Sequence, residues 1–263
     1  MSANKKGPAQ DTPRDFVGAA EHVMNVLRSF DAEHAQMTLS EVAKRTGLDR
    51  AGARRYLVTL THLGYVNHDG KLFRLAPKVL ELGYAYMATV PLADLAKRPL
   101  RKLTDTVGHP SAVAVLDGYY IVHLARAMTN RMLEPSITIG QRFPALHMST
   151  GRVLASFKEP ADLAEYLRHA DLDAQTPASI TNKAELAAEL ERVRKRGYAI
   201  VDQEMEEGIR TIAVPVLDAT GSAVAAINVV TNAAAVPKKK LIDEILPPLQ
   251  AASQELRAAL AST

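Results

Sequence analysis

The sequence predicts an α+β protein with two domains. Its 263 residues suffice for about two domains, and a hydrophobic content of 47% is ample for packed cores. Near the N-terminus, two helical segments around a turn precede a hairpin pattern. Beyond residue 91, strand pairs joined by short turns are combined with helical segments, which is typical of an antiparallel α+β sheet domain.

Residues 1–15 predict a disordered tail, because they are polar and have no apolar periodicity. They lack the apolar core of a signal peptide. No apolar run in the chain approaches the roughly 20 residues that span a bilayer. We therefore expect a cytoplasmic protein with no membrane partner.

Three helices are predicted to form the first domain. Two of them surround a tight turn at Gly47, because glycine tolerates the left-handed conformation that such a turn needs. Thr38 or Ser40 can cap the second helix, and Asp49 can cap the third. The first helix, at residues 16–30, has apolar residues near helical spacing: Ala20, Val23, Leu27 and Phe30.

The third helix has one apolar face and one basic face. Ala53, Leu57 and Leu60 lie at helical spacing and predict the buried side. Arginines and a hydroxyl group on the exposed side could bind base edges and phosphates in a DNA groove. The alternative is a basic surface that is merely solvated. The residues expected to contact double-stranded operator DNA are Thr38, Ser40, Arg50, Ala51, Arg54, Arg55, Thr59 and Lys71.

A short hairpin follows the third helix and makes the motif a winged helix-turn-helix. An Asp-Gly dipeptide at residues 69–70 favours a turn, and residues 71–75 alternate polar and apolar. Between residues 44 and 78, eight positive residues oppose two carboxylates, an excess of six against a net charge of +3 for the whole chain. The basic charge is therefore concentrated where a phosphate backbone would lie.

A linker helix at residues 79–91 is predicted to join the DNA-binding domain, residues 16–78, to the second domain, residues 92–263. Pro77 favours a helix start, and Pro91 favours its end. We expect this apolar helix to help form a homodimer, with a dimer of dimers left open. The alternative is that it packs on its own wing. Its apolar stripe consists of Leu80, Tyr84 and Met87.

The second domain is predicted to be a sheet built from hairpins and covered by helices. Residues 140–144 are expected to form a loop. The helices are expected at residues 92–107, 149–157, 159–169, 183–196 and 237–260, and the strands at residues 111–116, 119–124, 133–139, 198–201, 209–217 and 223–230.

Polar groups occur in this domain at places that packing alone does not explain. Ser149 and Thr150 would open a helix, whose free N–H groups and positive dipole end could hold a carboxylate; ordinary capping by Ser149 is the alternative. Asp202, at a strand end, could accept a hydrogen bond from a ligand hydroxyl. Asn228 lies in an apolar run, where a buried amide needs partners.

Residues 38–66 and 77–83 resemble the N-terminal domain of the IclR family of bacterial transcription regulators. RRYLVTL and LELGYAYM are similar to a subgroup that controls aromatic-acid catabolism through the β-ketoadipate pathway and responds to compounds such as protocatechuate or 4-hydroxybenzoate. PALHMSTGRVLAS, DQEMEEGIRTIAVPV and DATGSAVAAINVV resemble the family's effector domain, which has a GAF-like sheet. The resemblance covers nearly all of the chain after residue 15.

The resemblance implies a pocket for a small carboxylate effector, most simply an aromatic acid. His147 and Met148 depart from the family, whose members often have small residues there. An inward His147 would narrow the pocket or add a donor, which leaves the effector's identity open. The implied walls are Met132, Pro135, Phe143 and Ile209, the amides for the carboxylate are those of Ser149 and Thr150, and the polar partners are Asp202 or Gln203, with Thr211 and Asn228.

An enzyme is the rival class. The chain has no cysteine, no compact histidine spacing for a metal, no G-x-S-x-G elbow and no phosphate loop, so no metal or cofactor is predicted. A hydrolase using Asp202 and Glu204 would lack an evident acid or base partner. A constitutive DNA-binding protein without a ligand is the other alternative. We expect a ligand-responsive transcription regulator and not an enzyme.

Overall fold

The structure is a computed structural model that describes residues 13–129 and 138–262. The chain divides into two compact units, residues 1–89 and 90–263. Most of the tail predicted at residues 1–15 and of the strand predicted at residues 133–139 lies outside the described residues.

The first unit contains the three predicted helices and the predicted two-stranded wing, followed by the linker helix. Its core joins α1 (Gly18–Arg28), α2 (Leu39–Thr46), α3 (Arg50–His62) and the wing, and Met37 forms an isolated bridge with Phe73. The predicted stripe of the first helix is wrong at Ala20, which is exposed, because only the C-terminal half of α1 reaches the core and Val26 is buried there. The strands of the wing are β1 (Val66–His68) and β2 (Phe73–Leu75).

A 3₁₀ turn at Pro77–Val79 leads into α4 (Leu80–Thr89). No residue of α4 is buried within the described chain, and Leu80 is 75% exposed and Tyr84 74%. Its apolar stripe therefore does not pack on its own wing, although the Tyr65 hydroxyl donates a hydrogen bond to the Glu81 carboxylate at 2.6 Å.

The second unit contains a six-stranded antiparallel sheet with the strand order β5-β4-β3-β8-β7-β6. The strands are β3 (Ser111–Asp117), β4 (Tyr120–Ala127), β5 (Arg142–Pro144), β6 (Ala199–Asp202), β7 (Ile209–Leu217) and β8 (Ala223–Asn232). The helices are α5 (Leu92–Val107), α6 (Ser149–Ser156), α7 (Pro160–His169), α8 (Lys183–Arg196), α9 (Lys238–Lys240) and α10 (Leu246–Ala261).

Helices cover both faces of this sheet. Ala114, Ala213 and Ala226 belong to the core under α6. The alternating residues Val113 and Ile227 point to the other face and are fully buried. The helices α5 and α10 pack against the strands from that second side.

Two predictions for this unit are wrong in detail. The expected loop at residues 140–144 contains β5, an edge strand that pairs with β4. The expected continuous C-terminal helix is interrupted by a π-helical turn at Leu241–Ile245. Prolines at the start of α10 lack the N–H groups that would continue a regular helix across this point. Among the described residues, no helix is long and apolar enough to cross a membrane.

Candidate functional site

The helix α3 presents the basic face that the sequence predicted. The Asp49 side chain accepts a hydrogen bond from the Gly52 N–H at 2.5 Å, which fixes the start of the helix. Ala53, Leu57 and Leu60 are buried against the rest of the unit. The predicted DNA-contacting residues of this helix are all exposed: Arg50, Ala51, Arg54, Arg55 and Thr59.

A cleft of about 820 Å³ lies between the start of α2, the helix α3 and the wing. His62, which the sequence places on the exposed side of α3, and His68 on the wing also line it, although neither was among the residues expected to contact DNA. Ala51, Arg55 and Thr59 lie outside it. The cleft brings together five of the residues predicted to contact DNA: Thr38, Ser40, Arg50, Arg54 and Lys71.

The cations in this cleft are free to meet an external anion. Among the described residues, Arg50, Arg54 and Lys71 have no carboxylate partner. Arg45, by contrast, lies 2.6 Å from the Asp31 carboxylate. Its charge, part of the basic excess counted from the sequence, is therefore already paired within the unit.

The second candidate site is a cluster of buried polar side chains between α6 and the sheet. Strand pairing places Asn228 opposite Ala213, and Thr211 opposite Val230, on the face that α6 covers. In the described part of the chain, seven side chains have polar atoms that are buried without a hydrogen-bond partner. Two of them are His147 and Tyr166, and the five that form this cluster are His123, Ser149, Thr150, Thr211 and Asn228. Because buried polar atoms are normally paired, this cluster indicates a place where a ligand supplies the partners.

The start of α6 faces this cluster without a side-chain cap. Met148 occupies the N-cap position, so the alternative of capping by Ser149 is not observed. The first N–H groups of a helix have no acceptor within the helix and carry the positive end of its dipole. A Cβ atom on Gly151 would lie 2.0 Å from the Ala145 carbonyl oxygen, so only glycine lets the preceding turn close against α6.

Asp202 does not belong to this cluster, which corrects the prediction from its strand-end position. Val201 pairs with Thr211, so Asp202 points to the opposite face. Its carboxylate accepts a hydrogen bond from Arg210 Nε at 2.8 Å and lies 3.1 Å from Lys238 Nζ. Although partial burial opposes the effect, these two bonds hold the pKa of Asp202 below its usual value.

Gln203 is also occupied elsewhere. Its side-chain oxygen accepts a hydrogen bond from the Gly208 N–H at 3.1 Å, and its backbone is left-handed, with φ 62°. The side chain thus braces the loop between β6 and β7. Left-handed backbone at a non-glycine residue is held by such surroundings.

A buried ion pair beneath α6 was missed by the sequence reasoning. Arg152 Nη1 donates to Glu204 Oε1 at 2.8 Å, and Arg152 Nε donates to the Leu146 carbonyl at 2.8 Å. The Arg152 side chain is 1% exposed. Arg152 is the one charged residue of this short helix, and that was the available signal. Glu204 is therefore engaged with Arg152 and does not form a pair with Asp202.

Of the two buried histidines in this region, His123 belongs to the cluster and His147 does not. Met148, and not His147, belongs to the core between α6 and the sheet. Burial and the nearby Arg152 guanidinium lower the pKa of His147. Burial and then Arg126 lower the pKa of His123 to about 4, so His123 is neutral near pH 7.

The remaining predicted wall residues are only partly described. The Phe143 ring meets the His123 ring edge-on, with centroids 5.6 Å apart. Ile209 is half-buried on the same sheet face as Thr211. Met132 and Pro135 lie outside the described residues. Within residues 13–129 and 138–262, no group of three or more histidine, aspartate or glutamate side chains could hold a metal ion.

Comparison with known proteins connects both sites to one family. The family described as IclR helix-turn-helix domain matches residues 19–70, and the family described as Bacterial transcriptional regulator IclR C-terminal matches residues 84–258. The Pca regulon regulatory protein of Pseudomonas putida is 38% identical over 243 residues, covering 92% of this chain and 84% of the relative.

Solved structures give the same answer. A transcriptional regulator from Rhodococcus sp. RHA1 is 39% identical, with a TM-score of 0.83 over 94% of this chain and 99% of that one. The inducer-binding domain of a PobR double mutant from Acinetobacter, in complex with 3-hydroxybenzoic acid, is 32% identical. Its TM-score is 0.60 over 63% of this chain and 97% of that one.

Proposed function

The chain belongs to the IclR family of bacterial transcriptional regulators, and from this premise we propose that an aromatic carboxylate controls its binding to operator DNA. The protein acts on bacterial genes in the cytoplasm, and those genes encode the catabolism of aromatic acids. The names of two relatives support this class: one regulates a Pca regulon, and the other was solved with 3-hydroxybenzoic acid.

Operator contact is assigned to the exposed face of α3, the start of α2 and the wing. Arg50, Arg54 and Lys71 lie in one cleft and have no carboxylate partner among residues 13–129 and 138–262. This supports the assignment, because such cations are available for phosphates and guanine edges. The contact extends along the exposed side of α3 through Ala51, Arg55 and Thr59. At the start of α2, the DNA phosphate backbone is contacted by Thr38 and Ser40.

The protein is proposed to act as a homodimer, in which α4 supplies part of the contact. Exposed Leu80 and Tyr84 support this proposal, because an apolar helix face without a partner favours association. Two reading helices would then enter successive major grooves about 34 Å apart on a palindromic operator. Replacing both residues by aspartate should lower the sedimentation coefficient from that of a dimer to that of a monomer. A dimer of dimers would need a second contact surface in addition to α4.

Substitution of the two central arginines tests the reading helix. The double change Arg54→Ala and Arg55→Ala should abolish retardation of the DNA upstream of the controlled genes, while the heat of effector binding stays intact. The matched control is Arg192→Ala with Lys195→Ala, which removes the same charge from the exposed surface of α8. Retardation that survives the Arg54 and Arg55 changes would overturn this assignment.

The effector site is assigned to the buried cluster beneath α6. The single observation that carries it is the set of unpartnered polar atoms on Ser149, Thr150, Thr211 and Asn228. The carboxylate meets the N–H groups at the start of α6, and the ring lies on the small side chains of Ala213 and Ala226, with Phe143 and Ile209 as walls. Asp202 and Gln203 are hydrogen-bonded to Arg210 and Gly208 and do not contact the effector in this proposal.

Two threonines on paired strands provide a sharp test of this site. Thr211→Val removes a buried hydroxyl without a partner, so it should weaken effector binding several-fold and raise the melting temperature of the ligand-free protein. The control is Thr231→Val, because the Thr231 hydroxyl donates to the Arg210 carbonyl at 2.9 Å on the opposite face. That variant should lose stability and keep its effector affinity. Equal effector titrations for the wild type and Thr211→Val would refute the site.

A further inference from the structure

His123 lies on the same face of the sheet as the proposed effector site but was not among its predicted residues. It pairs across the strands with Ala114, which belongs to the core under α6. Val113 pairs with Ala125 but Ala114 pairs with His123, so Leu124 has no partner on β3. This β-bulge shifts the register by one residue and places the imidazole on the face that α6 covers. The side chain is 0% exposed.

Neither ring nitrogen of His123 has a hydrogen-bond partner among the described residues. The amide of Asn228 and the hydroxyl of Thr211, which also lack hydrogen-bond partners among the described residues, lie on the same face of the sheet as His123. Packing accounts for the ring itself, through its edge-on contact with Phe143, but a phenylalanine would pack there equally well. The two nitrogens therefore need a separate explanation.

The charge state of the imidazole restricts the group that it can recognise. Because burial and Arg126 keep it neutral near pH 7, it offers one N–H donor and one lone-pair acceptor. A carboxylate could accept a hydrogen bond only from the single N–H of the neutral ring, whereas a hydroxyl can pair with either ring nitrogen because it both donates and accepts. The carboxylate has a better site at the start of α6, where several N–H groups and the helix dipole converge.

We propose that His123 binds the phenolic hydroxyl group of the effector and so selects hydroxybenzoates over benzoate. This inference rests on the proposed function, since it divides the ligand between two ends of the same site. The acid group lies at the start of α6 and the hydroxyl group lies at β4. Selection follows because a phenolic hydroxyl pairs one imidazole nitrogen, whereas benzoate would leave both unpaired.

Isothermal titration of the full-length protein with benzoate, 3-hydroxybenzoate and 4-hydroxybenzoate tests the inference. The wild type should bind one of the hydroxybenzoates at least roughly tenfold more tightly than benzoate. His123→Phe should keep the affinity for benzoate and reduce that preference to within about threefold, because the ring contact with Phe143 is retained. His123→Gln, which restores a donor and an acceptor, should recover part of the preference.

A second buried histidine serves as the control. His147→Phe should leave the preference unchanged, because His147 lies beside Arg152 and not in the core between α6 and the sheet. An unchanged preference in His123→Phe would overturn the inference, as would an equal loss of affinity for all three acids. If the wild type binds none of the acids, the proposed effector class itself fails, which is a different result from an altered or unaltered preference.

Discussion

At the scale of single residues, the buried histidines make stability depend on pH. His123 has a pKa of about 4 in the folded protein and an ordinary value of 6.5, so the unfolded chain binds more protons between these values. Its contribution is complete above pH 6.5 and is lost as the pH falls from about 6.5 to about 4. This amounts to at most about 3 kcal/mol of unfolding free energy. His147, whose pKa is also lowered, acts in the same direction.

Urea unfolding measured between pH 7 and pH 4 checks this prediction. His123→Phe should flatten the decline in unfolding free energy relative to the wild type. Carboxyl groups whose pKa is lowered, such as Asp202 and Glu41, also begin to lose their stabilising contribution as the pH falls below about 5. This loss is common to the wild type and His123→Phe, so it cancels in the comparison. A variant whose stability declines as steeply as that of the wild type would show that His123 is not the titrating group.

The buried ion pair between Arg152 and Glu204 gives a second prediction at this scale. Arg152→Met should cost about 3–5 kcal/mol of unfolding free energy, because it leaves the Glu204 carboxylate buried without its cation. Adding Glu204→Met should recover part of this loss, although the Ile180 N–H then loses its acceptor. Chemical denaturation of the two variants decides the matter, and a double variant less stable than Arg152→Met would contradict the argument.

At the scale of elements, the capping box that starts α2 is a local feature with a measurable effect. The Thr38 hydroxyl donates to the Glu41 carboxylate at 2.8 Å, and the Thr38 backbone N–H donates to it at 2.7 Å. Thr38→Ala should destabilise the first unit by about 1 kcal/mol. Ser40 lies two residues later, inside α2, and is exposed, so Ser40→Ala should change the melting temperature little. The same loss in both variants would mean that the cap is not what stabilises α2.

Sequence patterns predicted elements whose ends are set locally. The helices α5 and α8 have the predicted bounds, because Gly108 and Gly197 adopt the left-handed conformation directly after them. The strand β5 was not predicted, since three residues at an edge have no periodicity and are ordered only by pairing with β4.

For the candidate site, too, the sequence predicted some of the residues but not how the strands place them. Ser149 and Thr150 were selected as a helix start, Asn228 because it interrupts an apolar run, and Thr211 through the family resemblance. All four carry buried polar atoms without a hydrogen-bond partner among the described residues. The sheet face on which Asp202 and His123 lie could not be predicted, because the facing of a strand residue depends on register and on irregularities such as the one between β3 and β4. These are tertiary properties that one sequence does not specify.

At the scale of the whole molecule, regulation requires the effector to bind one arrangement of the protein more tightly than another. If the effector changes operator affinity by some factor, the operator must change effector affinity by the same factor, typically between about 5 and 150. Fluorescence anisotropy with labelled operator, at one fixed salt concentration, measures the first factor. Calorimetry with and without saturating operator measures the second.

Equality of the two factors is the expected result, and the substitutions in the effector site make it specific. Thr211→Val should require more effector to reach the same change in operator affinity, whereas Thr231→Val should respond at the wild-type effector concentration. Salt must be held constant, because phosphate contacts make the absolute operator affinity fall steeply with ionic strength. A factor of one in both experiments, with effector and operator each still binding, would identify a DNA-binding protein whose ligand exerts no control.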